Sequence, residues 1–168
     1  TIDDLGDDRV SVKGALGLAP TDQYKVSATY MNGYRVAGTL VIGGDSSKEK
    51  GELIANAIIK KCNRILSNKG LEPFSRTSYD LIGTDSIFGS KRSRDNSKEI
   101  LLRLMATHAQ KDALVILSKE MAQAATGMAA GVMSYLGGRP LVSSSIHLFS
   151  FLLPKDQVPV VVDLNDEL

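Results

Sequence analysis

An acid, a lysine and several tyrosines crowd one stretch of this chain: Thr21, Asp22, Gln23, Tyr24 and Lys25, followed closely by Tyr30, Asn32, Tyr34 and Arg35. Groups of these types near one another can orient a carboxylate or a carbonyl, with Asp22, Lys25, Tyr34 and Arg35 as the candidates for an anionic guest. The same residues also read as a capped turn, in which Asp22 satisfies local amides and the tyrosines cover a sheet edge. A second set is Gly137-Gly138-Arg139-Pro140, with Ser143, Ser144 and Ser145 behind it. Glycines let backbone amides approach an anion, and the Arg139 fork suits phosphate or carboxylate. Alternatively Arg139 pairs with a carboxylate and the glycines only shape a turn. The phosphate-loop pattern GxxxxGK[ST] and the dinucleotide pattern GxGxxG are both absent.

No complete catalytic set stands out. His108 and His147 are the only histidines. His147 lies between Ile146 and Leu148, where a hydrogen-bonded structural role competes with that of a base. His108 precedes a helix, a position that suits catalysis and plain surface alike. No cluster has zinc or iron spacing, and the aspartates Asp3, Asp4, Asp7 and Asp8 lack the ligand order of a calcium loop, so no metal and no cofactor is expected. Cys62 is the single cysteine and falls in a helical stretch, which makes it a small buried hydrophobe rather than a reactive thiol. The basic run Lys91, Arg92 and Arg94 has no interleaved aromatics and reads as a solvated loop, not a nucleic-acid surface.

Elements that would hold these groups follow from periodicity. Asn32-Gly33 supplies the two positive-φ residues of a type I′ turn, so residues 21–42 read as a hairpin. Ser46 and Glu49 suggest a capping box, Ile54, Ile58, Cys62 and Ile65 one helical face, and Gly70 a left-handed stop. Strands are expected over residues 75–83 and 99–107. Thr107 and Gln110 suggest another capping box, before a helix whose core face is Leu114, Leu117, Met121 and Ala124. Residues 143–153 are apolar on both faces and predict a central, buried strand, and residues 158–162 an edge strand. This order is β-α-β-β-α-β: an α+β, ferredoxin-like split βαβ plan, with two helices on one face of a mainly antiparallel sheet, extended by an N-terminal hairpin strand.

A chain of 168 residues is long enough for one domain with a real core. The expected organisation is a single domain, with residues 1–20 as lead-in and linker, 21–163 as core and 164–168 as tail. Charged residues make up 23% and the formal net charge is +1, so neither a nucleic-acid binder nor a polyanionic tail is implied. No apolar run approaches bilayer length, and a cytoplasmic setting without membrane contact is expected.

Three blocks, TDQYKVSATYMNGYR, GGRP at Gly137 to Pro140 and LFSFLLPK at Leu148 to Lys155, resemble the AtuA family, named for acyclic terpene utilisation. The resemblance runs over nearly the whole chain and implies breakdown of citronellol-type and other branched acids as acyl-CoA thioesters. Family members are longer, which implies an α/β region before Thr1, in this protein or a partner chain, carrying most of any catalytic groups. This chain would then contribute anion or substrate binding through Asp22, Lys25, Tyr34, Arg35, Gly137, Gly138, Arg139 and Ser143, with a CoA thioester as possible substrate. The alternative is a non-catalytic oligomerisation or interaction domain, a homo-oligomer joined through sheet edges and Met128 to Met133.

Overall fold

A computed structural model describes residues 1–84, 86–87, 89, 97–134 and 136–161. The basic run at Lys91, Arg92 and Arg94 and the tail from 162 onward lie outside the described residues. The elements are β1 (Ile2–Gly6), β2 (Arg9–Val12), β3 (Gln23–Gly43), α1 (Ser47–Asn68), β4 (Arg76–Ile82), β5 (Glu99–His108), α2 (Lys111–Gly127), β6 (Val132–Met133) and β7 (Val142–Pro154). The chain divides into two compact units, Thr1–Ala28 with Leu148–Leu168, and Thr29–His147.

In the larger unit β5 is antiparallel to both β3 and β4 and lies between them, so β3 and β4 point the same way with α1 as their crossover. β6 and β7 pair with β3 on its other side. That is the α+β, split βαβ order expected from the sequence. Alternation then decides the layers. Val36, Leu40 and Ile42 of β3 and Ile100, Leu102, Leu104 and Ala106 of β5 are buried in one cluster with Ile54, Ile58 and Cys62 of α1 and Leu114, Leu117 and Met121 of α2. Both helices therefore cover the same face, and the intervening residues Arg35, Ala37, Thr39, Arg103 and Met105 form the opposite, open face.

Cys62 is fully buried, as the helical spacing implied. Burial pushes its thiol up to about 12, the nearby Glu120 charge adds to this and Lys61 opposes it, so the group stays protonated and unreactive at neutral pH. Gly70 ends α1 as expected. It carries positive φ, with Leu71 N–H donating to Leu66 O and Gly70 N–H to Ser67 O, a Schellman pair.

Several expectations are corrected. Asn32-Gly33 makes no hairpin turn; β3 runs straight through it as one strand. Gly33 does take positive φ, but a Cβ there would stand 2.7 Å from the His108 carbonyl oxygen, so this glycine is needed where β3 passes the end of β5. The N-terminal hairpin is instead β1 and β2, joined by Asp7 and Asp8, which both take positive φ as a I′ turn requires. Asp4 accepts from Gly6 N–H at 2.8 Å and Asp3 lies 3.5 Å from Lys13, which gives these aspartates local partners. Neither capping box forms: Ser46 takes left-handed geometry, and neither it nor Gln110 makes a side-chain cap bond. β7 is not buried. Ile146, Leu148, Phe149 and Leu152 are all more than half exposed, because β7 pairs with β3 alone and no layer among the described residues covers it. Residues 158–161 form no strand, since Lys155–Gln157 turns as a short 3-10 helix just before Pro159.

Candidate functional site

The register of β4, β5 and β3 lays out the open face in rows. Arg76, Thr107 and Arg35 share one row, Ser78, Met105 and Ala37 the next, and Asp80, Arg103 and Thr39 the one after. Neighbouring strands are about 4.8 Å apart, so Arg35 and Arg76 stand roughly 10 Å from each other across Thr107. Together with Arg103 and Ser143 they line a hollow of about 590 Å3 on the larger unit. Among the described residues neither Arg35 nor Arg76 has a carboxylate partner, while Arg103 has Asp80 at 3.9 Å. The hollow therefore carries an excess of positive charge within a chain of near-neutral net charge.

A second hollow of about 410 Å3 adjoins it, since Arg103, Ala37 and Leu141 line both. Gly137, Gly138 and Arg139 line it together with Gly38 and Met121. Pro140 is tied down by Ser118, whose hydroxyl donates to the Pro140 carbonyl at 2.7 Å. This anchors the Gly-Gly-Arg loop over α2.

Of the residues expected to hold an anion, the structure thus places Arg35 with Ser143 in one hollow and Gly137, Gly138 and Arg139 in the next. Tyr34 does not join them: it is half-buried and packs against the core cluster on the helix side. Asp22 and Lys25 belong to the smaller unit, where the Asp22 carbonyl accepts from Lys155 N–H at 3.0 Å and the Lys155 ammonium sits 5.2 Å from the Tyr24 ring centre. Arg76 and Arg103 escaped the sequence reading, because only the β4–β5–β3 register shows that they share a face with Arg35.

The two histidines differ in kind. His108 is 5% exposed, its Nδ1 accepts Gln110 N–H at 2.9 Å, and its Nε2 lies 3.2 Å from Glu72 O. Nδ1 also lies 3.2 Å from the Gln110 carbonyl oxygen, so the ring clasps the start of α2 to the segment at Glu72. His147 is exposed, with Nε2 at 3.2 Å from Ser145 Oγ, Nδ1 at 3.4 Å from the Asn32 amide nitrogen, and its ring tilted against Tyr30.

Among the described residues no group of three or more His, Cys, Asp or Glu side chains is placed to hold a metal, and no helix is long and apolar enough to cross a membrane. The fold and these hollows define the class: a split βαβ sheet, helices on one side, cationic on the other. The family model for acyclic terpene utilisation family protein AtuA matches residues 1–164, and the chain belongs to that family. No curated protein and no solved structure gives a significant match.

Proposed function

We propose that this chain is the part of an AtuA-family protein that holds the anionic end of an acyclic terpenoid or branched acid, presented free or as its CoA thioester. The observation that carries this reading is the grouping of Arg35, Arg76 and Arg103 along one hollow, where Asp80 is, among the described residues, the one carboxylate that pairs with any of them. Guanidinium forks bind carboxylate and phosphate oxygens in pairs, and an open apolar patch at Ala37 and Met105 between them suits a hydrocarbon chain.

Arg103 borders both hollows and Arg139 only one, which sets an order of effects. In a thermal-shift titration with a citronellyl-type acid and its CoA thioester, Arg103→Ala weakens binding roughly 10- to 100-fold, the loss of about 1.5–3 kcal/mol expected for a charged hydrogen bond. Arg139→Ala has the smaller effect. A ligand that stabilises wild type and both variants equally contradicts the reading.

A further inference from the structure

Ser145 is 5% exposed, although Ser144 and Ile146 on either side of it are open to solvent. A buried hydroxyl needs a partner, and among the described residues the side-chain partner of Ser145 is Nε2 of His147, at 3.2 Å. The far side of the same ring meets the side-chain amide of Asn32, 3.4 Å from Nδ1, and the ring is braced by Tyr30 with centres 5.7 Å apart. A hydroxyl, an imidazole and an amide in series make the arrangement of a serine nucleophile, its base and the group that orients the base. Loose distances of 3.2–3.4 Å are usual for such sets without substrate.

We propose that Ser145, His147 and Asn32 form an acyl-transfer site that takes esters or thioesters of carboxylic acids. Rotating the Asn32 amide by half a turn exchanges its oxygen and nitrogen in place. With the oxygen toward the ring, Nδ1–H donates to Asn32 and Nε2 is left as acceptor for the Ser145 proton. Ser145 Oγ then bonds to the acyl carbon while its proton passes to Nε2. As the C–S or C–O bond breaks, the imidazolium returns that proton to the leaving thiolate or alkoxide. Water attacks the acyl-serine next, losing a proton to Nε2, which passes it back to Ser145 Oγ as the free acid departs.

The arginine hollow is close by along the same strand. Ser143 lies two residues before Ser145, on the same side of β7 by strand alternation, and it lines the arginine hollow. Ser145 is not in the lining of that hollow, so an acyl group held there must extend along β7 past Ser143 to meet it. This step goes beyond anion holding and does not depend on it, because a neutral ester meets the same three groups.

The test uses a fluorophosphonate probe, which phosphonylates activated serines with loss of fluoride, followed by peptide mass spectrometry of the intact folded chain. The expected result is an adduct on Ser145 that Ser145→Ala abolishes and Ser144→Ala leaves unchanged. His147→Gln slows labelling by about 100-fold or more. Asn32, as a positioning residue, is checked by Asn32→Ala, which slows labelling, and Asn32→Asp, which keeps an acceptor oxygen facing Nδ1 and restores it. The proposal is overturned by wild-type protein that melts cooperatively yet takes no label on Ser145, or by a label whose rate ignores His147.

Discussion

Gly38→Val destabilises the fold by roughly 2–3 kcal/mol, the cost of overpacking a filled core. Strand propensity alone argues the other way, because a β-branched side chain ordinarily suits a strand better than glycine does. Packing decides the sign. Gly38 is on the helix side of β3, where a Cβ would stand 2.6 Å from Pro140 Cγ and collide with the Met121 sulfur. Met121 is 2% exposed and cannot swing into solvent. Adding Met121→Ala to Gly38→Val therefore recovers part of the loss, a coupling that a double-mutant cycle in urea reads directly. Additive losses in that cycle would show that the two side chains do not compete for one space. Because Gly38 and Met121 also border the hollow below Arg139, the variant narrows that hollow as well.

Leu102→Ala costs about 2–5 kcal/mol, the range for a large-to-small change in a buried site. Leu102 is fully buried at the middle of β5, opposite Leu40 on β3 and Leu81 on β4, so it joins three strands to the helix layer. The next residue, Arg103, points to the open face, and Arg103→Ala changes stability by only about 0.5 kcal/mol. Urea midpoints of the two variants compare the two sides of one strand. Equal losses would mean that the open face is packed as tightly as the core, which contradicts the layer order described above.

The helix layer was legible because its signals are local. Ile54, Ile58 and Cys62 on one face of α1, and Leu114, Leu117, Met121 and Ala124 on one face of α2, are all buried, while Ile65, expected on the α1 face, is only half-buried and Leu66 beside it fills the core. Alternation along β5 was weaker evidence, since Glu99 to Thr107 is Leu-rich throughout, and only the even-numbered residues proved to be core. Asn32-Gly33 misled for a physical reason: positive φ at a glycine serves a strand that passes closely by another backbone as well as it serves a turn. β7 misled differently. A strand apolar on both faces reads as buried, but sequence does not say whether the cover comes from this chain, and among the described residues nothing provides it.

The site was legible in pieces. Arg139 with its glycines and Ser143, and separately Arg35, stand out by residue type, whereas the meeting of Arg35 with Ser143, and the part of Arg76 and Arg103, became visible only through strand register. Ser145 and His147 stand at strand spacing in the sequence, yet Asn32 is far away along the chain and, next to Gly33, has the sequence of a turn. Pairing of β3 with β7 is what brings the three together.

The open sheet face as the seat of an anionic acyl ligand is tested most directly by amide-resolved NMR, titrating the chain with a citronellyl-type CoA thioester. The account predicts saturable shifts along Arg35 to Thr39 of β3, Arg103 to Thr107 of β5 and the loop from Gly137 to Ser143, with the outward faces of α1 and α2 unmoved. Shifts confined to Asp22, Lys25 and their neighbours, or no saturable shift at millimolar ligand, would contradict it.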